Sequence, residues 1–250
     1  MNFPSGIRAE HALDSEFACF KAGRRILYIR SALKPHAGAI LTRLTALAEE
    51  RPPGAGNRQS AYALEIEGAP AMIARAGRRG GATRFILADL YIGLHPRPVR
   101  ELKVTLEARQ RRIPVAEPMG AMVDWLGPLL YRGFFVTRAM AGMTLWELLR
   151  TDDDPLVRAH VIENARRAID IMHAQGLYHA DLNLNNLFVT EAGESFAVIV
   201  LDLDKARLFD RPLGKELRRR NLRRLIRSAR KLDPQQRYLD SAALRILGGA

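Results

Sequence analysis

Cysteine is almost absent from this sequence: Cys19 is the only one in 250 residues. A single cysteine cannot form an intramolecular disulfide, and by itself it cannot supply the four ligands of a structural zinc site. Histidine does not replace it, because no metal-ligand spacing occurs among His11, His36, His95, His160 and His173. The sequence therefore predicts a fold without intramolecular disulfides, in a reducing, cytosolic compartment.

Long apolar runs and aromatic residues are also scarce. No run approaches the length of about 20 residues that crosses a bilayer, and the N-terminus lacks the apolar core of a secretory signal. Aromatic residues make up 7% of the chain and are not interleaved with its arginine cluster, so no base-stacking surface is expected. An apolar content of 48% is ordinary for a soluble globular protein, and 250 residues suffice for one large domain or two lobes.

Positive charge is concentrated in one segment. Of the formal net charge of +12, a surplus of ten lies between Lys205 and Lys231, where twelve Lys or Arg residues face two acidic ones. An apolar stripe through Leu222, Leu225 and Leu232 predicts a helix that packs on the core by one face. Because the like charges repel one another, an anionic partner would stabilise this helix. Anionic lipid, anionic glycolipid and nucleic acid all qualify.

The strongest chemical signal is a motif in two parts: HADLNLNN, which starts at His179, and DLD, which starts sixteen residues after Asn186. Between them, LFVT, EAGE and FAVIVL predict a strand, a turn and a second, buried strand. In such a hairpin, the residues before the first strand lie beside those after the second. Asp181, Asn186 and Asp202 are therefore expected to converge at the open end of the hairpin.

This spacing, H-x-D-L-x-x-x-N followed by D-x-x, is the one that kinase-fold phosphotransferases use to deprotonate a hydroxyl and hold Mg²⁺. Asp202 is the first candidate ligand for Mg²⁺, which prefers oxygen, and Asn186 is the second. Asp181 is the candidate acceptor of the substrate hydroxyl proton. For each residue taken alone, a structural role is the alternative, because Asp and Asn favour turns and caps.

The order of the remaining elements predicts an α+β, two-lobed, protein-kinase-like fold. Strand-like segments dominate the first part of the chain, and helices with the catalytic hairpin dominate the second. A plausible hinge over 138–142 separates them. We therefore predict an N-lobe with a mainly antiparallel sheet over 1–137, including an extension of about 50 residues, and a mainly helical C-lobe over 138–250.

An acidic run, DDDP from Asp152, is a second place where a metal could be sought. An acidic helix cap followed by proline at the first helical position explains it better. The helix is expected to end at Gly176, a residue type that is typical just after a helix.

The chain resembles the bacterial 3-deoxy-D-manno-octulosonic acid (Kdo) kinases, members of the lipopolysaccharide kinase group within the protein-kinase-like fold. The resemblance extends from about residue 61 to about residue 232. It rests on HADLN with Asn186, on LDLDKA from Leu201, on Arg75, on RRGG from Arg78, and on a helix that opens with Arg100-Glu101 and leads to IPVAEP.

The resemblance implies a transferase of lipopolysaccharide biosynthesis that uses ATP and Mg²⁺. Such kinases phosphorylate the 4-hydroxyl of a Kdo sugar on a lipid A precursor. They work at the cytoplasmic face of the bacterial inner membrane. The implied partners are therefore this glycolipid and an anionic membrane surface, to which the chain would bind peripherally, and no nucleic acid is expected.

The resemblance also implies roles for individual residues. Asp181 would be the catalytic base, and Asn186 and Asp202 the metal ligands. Nucleotide-binding roles fall to Arg75 with its partner Glu101, and to the backbone near Arg138 and Met140, where the adenine edge would bond. His179 would organise the loop through hydrogen bonds, and Asp204 would either bind a second Mg²⁺ or hold a backbone turn.

Some positions depart from the protein-kinase pattern. Arg75 stands where protein kinases carry Lys, so it would contact phosphate as a fork and not as a point charge, or else simply pair with a nearby acid. Glu107 competes with Glu101 as its partner. Gly54 and Gly56 belong to a possible phosphate-covering loop, but a full G-x-G-x-x-G is missing and an ordinary turn is the alternative. No A-P-E segment follows the metal motif, so control by activation-loop phosphorylation is not expected.

Two other functions share part of this pattern. A small-molecule phosphotransferase of the aminoglycoside or choline kinase type has the same H-x-D…N…D core, but usually offers an acidic pocket to cationic substrates. This chain is basic instead, which favours an anionic acceptor. A nucleic-acid-binding module would use the basic helix on phosphates, but it would not need the catalytic motif.

Overall fold

The computed structural model describes residues 16–50, 61–76, 90–193 and 195–249. Contacts divide the chain into two compact units. The first comprises Met1–Leu106 with Glu117–Ala139, and the second comprises Glu107–Ala116 with Met140–Ala250.

Antiparallel pairing organises the first unit. Among its described residues, seven strands form one sheet in the order β1-β2-β6-β7-β4-β3, with β5 paired to β7. The strands are β1 (Phe17–Ala22), β2 (Arg25–Arg30), β3 (Ala61–Leu64), β4 (Met72–Ala76), β5 (Tyr91–Ile92), β6 (Pro118–Trp125) and β7 (Leu130–Arg138). A 3-10 helix over Ser31–His36 leads from β2 into the first α-helix.

Two helices cover this sheet. Helix α1 (Ala37–Glu49) buries Ile40, Leu44 and Leu47 in a cluster with Met122 of β6. Helix α2 (Arg97–Gln110), whose last turn groups with the second unit, buries Val99, Leu102 and Leu106 in another cluster with Val123. Because successive strand residues point to opposite faces, the two helices lie on opposite sides of the sheet. Strand β6 is accordingly buried along its whole length.

Helices predominate in the second unit. They are α3 (Leu145–Thr151), α4 (Pro155–Ala174), α5 (Lys215–Leu232) and α6 (Ser241–Gly248), with a 3-10 helix over Leu184–Asn186. The strands are β8 (Met143–Thr144), β9 (Leu177–Tyr178), β10 (Leu187–Ala192), β11 (Ser195–Val200) and β12 (Arg207–Leu208). Strand β10 pairs with both β11 and β8, and β12 pairs with β9.

The predicted boundaries of α4 are confirmed. Asp154 caps the helix, its carboxylate accepting a hydrogen bond from the Leu156 N–H at 2.8 Å, and Pro155 occupies the first helical position. After the helix, Gly176 has a φ of 81°. A side chain there would also meet the Phe209 carbonyl oxygen at 2.3 Å, so glycine satisfies both the conformation and the close approach.

The described helices do not include a membrane-spanning one. None of them combines sufficient length with an apolar stretch long enough to cross a bilayer.

Candidate active site

His179 connects the two parts of the catalytic motif in the second unit. Its Nδ1 accepts a hydrogen bond from the Asp181 N–H at 3.1 Å, and its Nε2 lies 2.8 Å from the Leu201 carbonyl oxygen. One ring nitrogen therefore accepts and the other donates, which assigns a neutral ring. Burial lowers the pKa of His179, against the smaller opposing effects of the Leu201 carbonyl and of nearby carboxylates, including that of Asp202. The side chain holds the loop in place and stays neutral while it does so.

The predicted hairpin forms and places Asn186 beside the end of its second strand. Strands β10 and β11 pair in an unbroken antiparallel register, and the Leu201 N–H donates to the Asn186 carbonyl oxygen at 2.9 Å. The Asn186 side-chain Nδ2 donates to the Asp181 carbonyl oxygen at 2.9 Å. The structure thus brings Asn186 together with Asp181 and with the chain segment that leads directly into Asp202.

Asp202 adopts a left-handed backbone conformation, with a φ of 61°. Residues other than glycine seldom adopt it, although Asp tolerates it better than most, and such conformations cluster at functional sites. Asp202 is half-buried, as is Asp204, which follows in a turn closed by a 3.0 Å bond from the Ala206 N–H to the Leu203 carbonyl oxygen. A left-handed residue and a turn therefore follow directly after the second strand of the hairpin.

Asp181 is restrained through both its backbone and its side chain. Its carbonyl oxygen accepts hydrogen bonds from the side-chain amides of Asn183 at 2.8 Å and Asn186 at 2.9 Å. Its carboxylate Oδ1 accepts two more from Arg224, from Nε at 3.1 Å and from Nη2 at 2.5 Å. Among the described residues, none donates to Asp181 Oδ2. Arg224 thus fixes one of the two carboxylate oxygens of Asp181.

The buried Asn221 of helix α5 hydrogen-bonds the loop over 179–186, the predicted catalytic loop. The Asn221 Nδ2 donates to the His179 carbonyl oxygen at 2.6 Å, and its Oδ1 accepts from the His179 N–H at 3.2 Å. The same Oδ1 lies 3.2 Å from His173 Nε2. Asn221 is fully buried, so these bonds satisfy polar groups that would otherwise destabilise the fold.

Sequence reasoning missed both residues of α5 that contact the catalytic loop, Asn221 and Arg224. More than forty positions separate them from His179 and Asp181, the residues they contact, and the sequence indicates the helix only by its charge and its apolar stripe. One signal was available for Asn221. Asn221 lies four residues before Leu225 and eight residues before Ala229, so a polar residue occupies the buried stripe of the helix. For Arg224, nothing in the sequence distinguishes it from the neighbouring arginines.

In the first unit, Arg75 and Glu101 form an ion pair. The Arg75 guanidinium lies 5.6 Å from the centre of the Phe135 ring, and the Glu101 side chain is largely buried. Glu107 instead pairs with Arg111 one helical turn away, at 2.5 Å. Of the two acidic residues considered as partners of Arg75, Glu101 is therefore the one in contact. Whether the pair contacts nucleotide stays a prediction.

At the predicted hinge, both the backbone N–H and the side chain of Arg138 form hydrogen bonds within the protein. Its backbone N–H donates to the Glu117 carbonyl oxygen at 2.9 Å, and its side-chain Nε donates to the Glu117 carboxylate at 2.6 Å. The next N–H, that of Ala139, donates to the Ala71 carbonyl oxygen at 2.9 Å. No backbone hydrogen bond joins the Met140 N–H to another described residue.

Two sequence predictions lie outside the described residues. They concern the possible phosphate-covering loop with Gly54 and Gly56, and the RRGG segment that starts at Arg78.

The donor set at the catalytic loop suits a hard cation that is shared with a phosphate ligand. No group of three or more His, Cys, Asp or Glu residues able to hold a metal occurs in the ranges that the structure covers. The catalytic loop offers instead the Asp202 carboxylate and the Asn186 amide oxygen, which is left as an acceptor because Nδ2 bonds to Asp181. A site with few protein ligands fits Mg²⁺, which keeps several waters and binds substrate phosphates.

Burial of His173 makes stability dependent on pH. The pKa of His173 is lowered from 6.5 to about 4, mainly by burial, which its bond to Asn221 opposes. A lowered folded-state pKa means that the unfolded chain takes up the proton first. The stabilisation is therefore complete above pH 6.5 and is lost as the pH falls from 6.5 toward 4.

We expect His173→Gln to remove this pH dependence. Between pH 7 and pH 4.5, the wild-type free energy of unfolding should fall by about 2 to 3 kcal/mol more than that of the variant. Urea unfolding at the two pH values measures the difference. An equal fall in both proteins would show that His173 is not held neutral by the fold.

The comparisons with known proteins agree on one family. The model of the lipopolysaccharide kinase (Kdo/WaaP) family matches residues 58–243. A 3-deoxy-D-manno-octulosonic acid kinase of Xylella fastidiosa (strain 9a5c) is 31% identical over 180 residues, which cover 71% of this chain and 68% of the relative. The enzyme of the same name from Stenotrophomonas maltophilia (strain R551-3) is 31% identical over 189 residues, covering 73% and 70%.

Among solved structures, the chain is similar to that of WaaP in complex with acyl carrier protein. The TM-score is 0.52 with 16% sequence identity, over 87% of both chains. At this identity the likeness shows a shared fold, which supports the kinase-like architecture expected from the motif.

Proposed function

Because the chain belongs to the lipopolysaccharide kinase (Kdo/WaaP) family, we propose that it phosphorylates the 4-hydroxyl of a Kdo sugar on a lipid A precursor. Family membership makes the chain a kinase with ATP as its phosphate donor. The acceptor and the position of transfer are the proposal. The observation that carries it is the restrained Asp181, whose Oδ2 is available to a hydroxyl while Arg224 holds Oδ1.

The proposed roles follow from what each side chain can do where it lies. Asp181 orients the acceptor hydroxyl and accepts its proton as the new phosphate ester forms. Asn186 and Asp202 hold Mg²⁺, which when bound neutralises charge on the phosphates of ATP. Met140 bonds the adenine edge through its backbone, and Arg75, oriented by Glu101, contacts phosphate oxygens as a fork.

We also propose that the two units are the N-lobe and C-lobe of a kinase. The seven-stranded antiparallel sheet of the first unit and the four α-helices described in the second support this assignment.

The acceptor is proposed to be anionic and membrane-borne. Two relatives that are about 30% identical are Kdo kinases by name, and helix α5 carries a dense positive charge. This charge disfavours the cationic acceptors of aminoglycoside and choline kinases. The same helix would hold the chain peripherally on the anionic cytoplasmic face of the bacterial inner membrane, each nearby charge adding about 1 kcal/mol.

A transfer assay with a small acceptor panel tests the proposed function. With radiolabelled ATP, the wild type should phosphorylate a Kdo-bearing lipid A precursor at the 4-hydroxyl, and neither an aminoglycoside nor choline. Asp181→Ala should lower turnover by about 10²- to 10⁴-fold and leave ATP affinity largely unchanged, because the base acts on the acceptor.

Asp210→Ala is the matched control, since the Asp210 side chain is fully exposed and its removal should leave turnover unchanged. Full turnover in Asp181→Ala would refute the assignment of the base. Phosphate transfer to choline or an aminoglycoside alone would refute the acceptor.

Arg224 acts as a positioning residue in this scheme, because it contacts Asp181 and not the reacting atoms. Arg224→Ala should lower kcat about 10- to 100-fold with little change in the KM for ATP, since a misplaced base loses orientation. Arg224→Lys should restore part of kcat, because one donor can still reach Oδ1. Steady-state kinetics with thermal unfolding as a control measure this. An equal kcat in the wild type and both variants would contradict the role. So would losses of kcat that are proportional to losses of thermal stability.

A further inference from the structure

A basic cavity of about 780 Å³ lies between α4, α5 and α6 of the second unit. Of its eleven described lining residues, seven are Arg or Lys and none has an acidic side chain. Arg166 of α4 and Arg223 of α5 are examples of these basic residues. The volume is within the range of about 300 to 1,000 Å³ that small-molecule sites occupy.

Most of the positive charges that line this cavity lack carboxylate partners, and Arg166, which pairs with Asp170, is the exception. Elsewhere, Arg24, Arg75, Arg111, Arg158 and Arg224 each lie within 4 Å of an acidic oxygen. In the part of the chain that the structure covers, no such partner occurs for Lys215, Arg219, Arg223, Arg227 or Arg230. Uncompensated like charges on one helix repel one another, and a bound anion would relieve that repulsion.

One arginine of the cavity is held rigidly. Arg166 bonds to the Asp170 carboxylate through Nε at 2.8 Å and Nη2 at 2.7 Å, and its Nη1 lies 3.4 Å from the Leu247 carbonyl oxygen. Its guanidinium passes so close to Gly249 that a side chain there would meet it at 2.1 Å. Gly249 has a φ of 70°, so both its conformation and its lack of a side chain permit this arrangement.

The cavity is distinct from the catalytic loop. At about 100° per residue, Arg224 lies roughly 150° around α5 from the lining stripe that includes Arg219, Arg223 and Ile226. The Arg224 side of the helix contacts Asp181, and the other side opens to the cavity. An anion in the cavity is therefore not the phosphate that is transferred.

The apolar residues of the cavity indicate which class of ligand it can bind. Leu222 and Ile226 are half-buried and line it beside Gly248. Guanidinium groups together with apolar side chains fit a phosphate group attached to a lipid better than a fully hydrated ion. No aromatic side chain occurs among the described residues that line the cavity, so they offer no base-stacking surface to nucleic acid.

We propose that this cavity is a binding site for the phosphate-bearing head group of an anionic lipid. The site lies outside the proposed catalytic site, and its occupancy can be measured without phosphate transfer. With the lipid bound, one face of α5 contacts the lipid head group while the other face restrains Asp181.

Binding to vesicles of phosphatidylcholine containing phosphatidic acid tests this site in the full-length protein. The double variant Arg219→Gln/Arg223→Gln removes two charges from the cavity. The matched control, Arg220→Gln/Lys231→Gln, removes two charges from the same helix outside it. The cavity variant should bind about 30-fold more weakly than the wild type, and the control should lose much less.

Equal losses in the two double variants would overturn the proposal, because they would show a response to total charge and not to a site. Inorganic pyrophosphate that competes fully at similar affinity would identify a free anion as the ligand and overturn the lipid assignment. Stronger binding of a short RNA duplex than of the vesicles, lost in the cavity variant alone, would overturn it in favour of nucleic acid. A preserved preference for vesicles with loss in the cavity variant alone supports it. Acceptor phosphorylation, measured separately, decides the proposed function.

Discussion

The neutral, buried imidazole of His179 is the contact on which the candidate site depends. It accepts from the backbone of Asp181 and donates to the carbonyl of Leu201, so it fixes the loop that carries Asp181 relative to the strand end that leads into Asp202. Burial keeps this ring neutral, and a neutral ring is needed for it to accept and donate at once. The hairpin and the bond from the Leu201 N–H to the Asn186 carbonyl oxygen bring the two halves of the motif together, and this side chain adds a second link between them.

Helix α5 extends this restraint to the rest of the second unit. Asn221 bonds both backbone groups of His179, and Arg224 holds one oxygen of Asp181. The remaining basic residues of the helix face solvent and the cavity against α4 and α6. A helix that sequence composition marks only as positively charged therefore makes two separate sets of contacts. It holds the Asp181 carboxylate on one side and lines the basic cavity on the other.

The local parts of the site could be predicted from the sequence, because strand alternation and hairpin closure fix which residues meet. This is why Asn186 is found beside Leu201, the residue that precedes Asp202. The contact of Arg75 with Glu101 was expected from the resemblance and not from any local rule. Arg224 could not be predicted, since its partner is 43 residues away and any of several arginines could have reached it. Strand β2, with β1 that pairs to it locally, was also missed. Strand β2 is short, charged at both ends and pairs with β6, more than ninety residues later.

The central claim is that the loop and the strand end together hold a metal ion beside the nucleotide. Electron paramagnetic resonance of Mn²⁺, which takes the same oxygen ligands as Mg²⁺, tests it most directly in the presence of ATP. The account predicts that Asp202→Asn weakens nucleotide-dependent Mn²⁺ binding about tenfold or more, while the exposed control Asp210→Asn binds as the wild type does. Undiminished Mn²⁺ binding by Asp202→Asn would contradict the account.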